Sequence, residues 1–137
     1  MSVEENKELV RRHYEAANNH DATAAYAVVS QDCIFHLGGR DFSVAQAKEF
    51  DRAWLTAFPD ASYTIEKMIA EGDLVAFRII ARGTHLGELF GHAATGKKMT
   101  MTNANWFRVA NGQLVDFWAT SDRLALMQQL GLITENI

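Results

Sequence analysis

Apolar residues change their spacing once along this chain, near Ser62, and the change divides it into a helical part and a strand part. In the first part Leu9, Val10, His13, Tyr14 and Ala17 recur at helical intervals. Ser2-x-x-Glu5 opens that helix as a capping box, its hydroxyl and carboxylate satisfying free backbone N–H groups, and Asn18-Asn19 ends it. Asp21 caps a second, short helix, Ala22 to Val29. Asp32 to Leu37 alternates as a strand and stops at Gly38-Gly39. Ser43-x-x-Gln46 is a second capping box. Behind it Ala47, Phe50, Trp54, Ala57 and Phe58 repeat at helical spacing as far as Pro59, the only proline.

Beyond Ser62 alternation takes over. Tyr63 to Ala70 and Leu74 to His85 predict a hairpin across Glu71-Gly72-Asp73. In the longer strand Val75, Phe77, Ile79, Ala81 and His85 separate from Arg78, Arg82 and Thr84. A glycine-bearing loop, Leu86 to Lys97, precedes two more strands, Lys98 to Val109 and Leu114 to Ser121. Asn111-Gly112 joins these as a tight hairpin, since both residues tolerate positive φ. A last helix runs from Asp122 or Arg123 to Gly131, a good C-cap. Helices followed by antiparallel strands predict an α+β fold: a curved antiparallel or mixed sheet wrapped around the N-terminal helices as a cone with an internal pocket. Strict alternation puts Trp118, Thr120 and Asp122 on one face, taken as the face toward the cone. A one-residue slip would turn them away.

Composition changes this picture little. The 137 residues predict one domain, 1–137, and contents of 48% hydrophobic and 22% charged residues are ordinary for a water-soluble protein. A net charge of -4 with no basic run gives no reason to expect nucleic acid. No apolar run approaches the ~18 residues of a membrane span. The acidic start MSVEENKELV does not read as a signal peptide, and the single cysteine, Cys33, suits a reducing compartment, so a cytoplasmic protein is expected. The five histidines make no His-x-His or two-His-one-carboxylate spacing and there is no CxxC, so neither metal nor other cofactor is expected. Gly83, Gly87 and Gly91 suit a tight chain crossing better than an anion cradle.

The chemistry then rests on a few polar residues among aromatic ones. Asp122 before LALMQQL is a good helix N-cap, and beside Trp118 in an apolar cavity it would also be a general acid with a raised pKa; both roles stand open. His85 shares its strand face with Phe77 and would meet a ligand oxygen, or else pin the glycine loop. His36 carries the same ambiguity. Asn105, or Asn103, would hydrogen-bond a substrate carbonyl or pair with a neighbouring side chain. Trp54, Trp118, Phe77 and Met101 would line the pocket or form plain core.

In Gly83-Thr84-His85-x-Gly87, Gly91 and Thr95-Gly96-Lys97 the chain resembles the SnoaL-like polyketide cyclases of the nuclear-transport-factor-2-like superfamily. The likeness continues through Phe107-Arg108-Val109, Asn111-Gly112, Leu114-Val115, Trp118, Asp122 and Gln128-Gln129-Leu130-Gly131. It implies a homodimeric α+β cone with a buried pocket, and an acid at Asp122 that serves an intramolecular aldol condensation of a small hydrophobic molecule. Two departures stand out. Ala94 precedes Thr95 where the family usually has proline, and Asn103 or Asn105 falls where ring-closing members pair the acid with histidine. The expected function is therefore a cofactor-independent cyclase or isomerase acting on a carbonyl-bearing molecule. A non-catalytic binder with the same pocket is the alternative. An epoxide hydrolase ranks last, because Ile80 stands where an Asp-Arg-Asp set built on Arg78 needs an aspartate.

Overall fold

The computed structural model describes residues 2–133; Met1 and residues 134–137 of the expected 1–137 domain lie outside the described residues. The elements run α1 (Val3–Asn18), α2 (Ala22–Ala27), β1 (Val29–Leu37), β2 (Arg40–Phe42), α3 (Val44–Ala57), β3 (Ser62–Glu71), β4 (Leu74–Thr84), β5 (Lys98–Ala110), β6 (Gln113–Ser121) and α4 (Arg123–Gln129). Both capping boxes are formed, Ser2 with Glu5 and Ser43 with Gln46. Asn111 and Gly112 take φ of 52° and 71°, the positive values a tight hairpin turn demands. Two boundaries differ from expectation. The second helix ends at Ala27, and Val29 already belongs to β1. The three-residue β2, too short to show alternation, pairs back on β1 across the Gly38-Gly39 turn.

The six strands form one curved, unclosed sheet in the order β2-β1-β6-β5-β4-β3. Every neighbouring pair is antiparallel except β1 and β6, which run parallel, so the sheet is mixed. Helix α1 lies against β3 and β4, α2 and α3 against β1, and α4 against β5. The helices therefore leave one sheet face uncovered. No described helix is long and apolar enough to cross a membrane.

The inner face carries two apolar clusters. One gathers Leu9, Val10, Phe35, Val75, Phe77, Ile79, Phe107 and Leu114 under α1 and α2. The other gathers Trp54, Phe58, Ala81, Met99, Met101, Leu126 and Leu130 between α3 and α4. Along β5 the inward residues are thus Met99 and Met101 at one end, Phe107 and Val109 at the other, with Asn103 and Asn105 on the same side between them.

The glycine-bearing loop is a crossing, as expected for Gly83 and Gly87. A Cβ on Gly87 would stand 2.1 Å from the Thr56 carbonyl oxygen, and one on Gly83 would press Phe58 at 2.9 Å. Gly91 has open space and serves instead as a turn at φ 83°.

One irregularity overturns the expected face of β6. Val109 pairs with Leu114 but Arg108 pairs with Asp116, so Val115 is an extra residue, a β-bulge. Leu114 is fully buried on the inner side; the bulge reverses the alternation after it, and Phe117 points inward beside Phe35 and Phe107. Trp118 consequently turns to the uncovered face, opposite Trp106 and His36. In LVDFW only Asp116 speaks against a common inward face for Leu114 and Trp118. The bulge decides it.

Candidate functional site

The polar gap on β5 is where the inner face has chemistry. Asn105 is 6% exposed, and its Nδ2 donates to the Tyr14 hydroxyl of α1 at 3.5 Å, a long and easily displaced bond. The Oδ1 atoms of Asn103 and Asn105 are buried with no partner. A buried amide oxygen without a partner is costly, and such orphans concentrate where a ligand or water completes the set. The Cα partners of Asn105 are Phe77 on β4 and Ala119 on β6, so its floor is apolar and aromatic.

Three tyrosines and a carboxylate surround this gap. Tyr14 sits edge-on to Phe77 and tilted toward Tyr63 of β3. Tyr26, on α2, donates its O–H to Asp51 Oδ2 on α3, and the Lys48 ammonium lies 5.2 Å from the Tyr26 ring centre. Burial pushes the phenols of Tyr14 and Tyr26 well above their ordinary value and Tyr63 to about 12, so all three remain O–H donors at neutral pH. Asp51 is reached by solvent yet hemmed in by protein. Desolvation pushes its carboxyl up to about 6, against the opposing hydrogen bond from Tyr26. Nearby, a groove of about 160 Å³ runs between α3 and the β1–β2 hairpin, lined by Leu37, Phe42, Ala47 and Phe50. Phe50, the neighbour of Asp51, is 45% exposed and reaches toward Phe90 and Trp54.

The sequence-predicted residues divide among five places. Asn105 and Phe77 belong to the gap; Trp54 and Met101 pack in the α3–α4 cluster beside it. Trp118 and His36 do not join them. On the uncovered face their rings stack at 4.9 Å and 13°, and His36 Nδ1 meets Asp41 at 2.8 Å while Nε2 meets Asp116 at 3.0 Å. Arg108 completes that network on Asp116 at 2.7 Å. His85 is fully buried, and its Nδ1 accepts the Thr95 N–H at 3.2 Å, which fastens the loop. That bond is the loop-pinning contact of the two roles open to His85, while its Nε2 has no partner among the described residues.

Asp122 is the N-cap of α4, its Oδ1 accepting the Ala125 N–H at 3.1 Å. It lies one residue past β6, where strand alternation no longer governs it, and it is exposed. The expectation of a carboxyl beside Trp118 in an apolar cavity fails with the bulge, since Trp118 faces away. Asp122 instead marks the rim, next to Arg123, whose guanidinium covers Phe90 at 4.2 Å. Asp51, Tyr14 and Tyr26 escaped the sequence reading. Tyr14 read as part of the apolar stripe of the first helix and Asp51 was not singled out, because nothing local marks a carboxyl that meets a tyrosine 25 residues away.

Comparison with known proteins places this arrangement. The chain is similar to AclR, a proposed hydroxylase from Streptomyces galilaeus, with 28% identity over 97% of this chain and 100% of that one and a TM-score of 0.92. It is similar to IdmH, a proposed polyketide cyclase from Streptomyces antibioticus, with 30% identity over 92% and 98% of the two chains and a TM-score of 0.84. TsrD from Streptomyces laurentii, 20% identical over 97% and 99% of the two chains, shares the fold at a TM-score of 0.87. A comparison with curated protein sequences found no match. The model of the SnoaL-like polyketide cyclases matches residues 7–130, and with the six-stranded cone this shows that the chain belongs to that family.

Proposed function

We propose that the protein is an acid–base enzyme of the cyclase or isomerase type, acting on a hydrophobic molecule that carries a ketone, bound at the polar gap of the inner face. The observation that carries this reading is the Asn105–Tyr14 donor pair set between two apolar clusters. A ketone oxygen in the gap would receive hydrogen bonds from the Tyr14 O–H and the Asn105 N–H, while a hydroxyl on the same molecule would donate to the unpartnered Oδ1 of Asn103 or Asn105, in surroundings dry enough to strengthen these bonds. Such donors stabilise the enolate oxygen that forms when the adjacent carbon loses a proton. The catalysis then needs one carboxyl group to carry that proton. IdmH, by its description a proposed cyclase, supports the ring-closing version of this reaction. No cofactor enters the scheme, since the ketone itself stabilises the carbanion.

The test is turnover of aromatic polyketide ketones by the purified protein, with Asn105→Leu as the control. Loss of at least tenfold in kcat/KM for Asn105→Leu is expected, with the fold intact by circular dichroism. Ligand bound but unchanged after long incubation would instead establish the non-catalytic binder.

A second copy of the chain is the proposed partner, seated on the uncovered sheet face. Trp106 at 46% exposure, Ile34 and Ile69 lie there with no helix above them. Sedimentation at micromolar concentration should give twice the mass of one chain.

A further inference from the structure

We infer that Asp51, oriented by Tyr26, is the carboxyl that moves the proton, taking it from the carbon next to a ketone whose oxygen is held by Tyr14 and Asn105. This assignment rests on the acid–base reading above and adds the residue that performs it. Its neighbours separate it from Asp122: Tyr26 of α2 bonds it, the Tyr26 ring meets His13, and His13 meets Tyr14, the partner of Asn105. Asp122 also has one engaged oxygen, its Oδ1 accepting from the backbone of α4, but no tyrosine hydroxyl among the described residues bonds it. Asp51 Oδ2 accepts from Tyr26, which leaves Oδ1 without a protein donor among the described side-chain hydrogen bonds. Its carboxyl lies within electrostatic reach of Tyr14 and Tyr63, the tyrosines that flank Asn105 and Phe77. Base and oxyanion donors thus come from different elements, Asp51 from α3, Tyr14 from α1 and Asn105 from β5.

The groups facing Asp51 define how it titrates. They are Tyr26 from α2, Tyr14 from α1, Tyr63 from β3 and Lys48 from its own helix, with the Cys33 thiol of β1 behind Tyr26. None of the phenols ionises near neutrality, and the Lys48 cation sits over the Tyr26 ring. Dry surroundings keep part of the Asp51 population protonated near pH 6. A group poised there serves as base in one step and acid in the next.

The step balances without any added reagent. Asp51 as carboxylate takes a proton from the carbon; that C–H bond breaks as an O–H bond forms on Asp51. The electron pair moves to the ketone oxygen, giving an enolate held by Tyr14 and Asn105. For isomerisation the proton returns at another carbon. For ring closure the enolate carbon attacks a second carbonyl of the same molecule, and the new alkoxide takes the proton from Asp51.

The experiment uses 2-tetralone, a bicyclic ketone, whose exchange of C1 hydrogen for deuterium in D2O is read by proton NMR. The wild-type protein is expected to accelerate exchange, with a rate that rises through a pH of about 6, where Asp51 ionises, and then levels. Asp51→Asn should lose at least a hundredfold of that acceleration while still binding 2-tetralone by saturation-transfer NMR. Tyr26→Phe should lose at least fivefold of the acceleration, since Asp51 is no longer oriented, and shift its rise to higher pH, because the lost hydrogen bond had favoured the charged carboxyl. Full acceleration in Asp51→Asn, with loss in Asp122→Asn, would overturn the assignment and leave the acid–base reading standing. No acceleration by the wild-type protein would overturn both.

Discussion

Both faces of the sheet carry aromatic rings, the inner face more of them, and do different things with them. On the inner face Phe107 is fully buried, stacks on Phe77 and tilts against Phe117, and touches the His13 ring edge-on. On the outer face Trp106 and Trp118 meet edge to face with nothing above them, and their polar neighbours form a closed ionic network of His36, Asp41, Asp116 and Arg108. The inner face leaves amide oxygens unpartnered, whereas every charge in the outer network has a partner. Unpaired polar atoms in a dry place invite a ligand. Paired ones on an open face hold a surface together. The difference teaches that aromatic content alone does not locate a site; the state of the polar groups among the rings does.

Stability should divide the faces most sharply. Phe107→Ala removes a ring packed on all sides and is expected to cost about 3–5 kcal/mol in chemical denaturation. Trp106→Ala removes a ring that is 46% exposed, and should cost well under half of that at concentrations where the chain is a monomer. If the outer face seats a second copy, the Trp106→Ala loss reappears as weakened self-association, read by sedimentation. Equal monomer costs for the two variants would break the comparison.

Asp122 belongs to neither face, and its expected effect is correspondingly intermediate. Asp122→Ala deletes the acceptor for Ala125 N–H and should cost ~1 kcal/mol, the ordinary value of an N-cap. Asp122→Asn should cost less, since the amide oxygen still caps. Greater than tenfold loss of tetralone exchange in Asp122→Asn would move the catalytic carboxyl from α3 to the rim.

The fold was legible because its signals are local. Capping boxes at Ser2 and Ser43, the turn at Asn111-Gly112 and the switch of period near Ser62 each act within a few residues. The close packing of Gly83 and Gly87 followed from their lack of a side chain. The site was less legible because it depends on non-local facts. One extra residue at Val115 reversed the face of Trp118 and so set it beside His36 on the outer face. Alternating sequence carries no mark of a bulge when residues on both sides are apolar. Asp51 became interesting only when α2 was laid beside α3, and Asn105 only when Tyr14 arrived above it. The parallel pairing of β1 with β6 was equally invisible, as it joins segments some 80 residues apart.

The smallest expected effect tests whether the outer network is as closed as its geometry. The hydrogen bond to Asp116 raises the His36 pKa above its ordinary 6.5, against a smaller opposing effect of burial, and Asp41 adds to it. Burial pushes Asp116 up, but the bonds from His36 and Arg108 outweigh it and hold the carboxyl below its usual range. The signs follow from linkage. The His36 contribution is fully present below the unfolded value of 6.5 and fades as pH rises through the higher folded value; the Asp116 contribution is present above 3.8 and fades as pH falls through the lower folded one. Between those limits both charges exist and the network is at its strongest. Asp116→Asn should therefore bring the His36 titration, followed by proton NMR of its ring, back toward 6.5, while the tetralone rate profile on the other side of the sheet stays where it was. Since His36 stacks on Trp118, the same titration should appear in Trp118 fluorescence and shift with it. A His36 midpoint unmoved by Asp116→Asn would mean that the outer charges do not pair in solution, and the contrast between a satisfied face and an unsatisfied one would go with them.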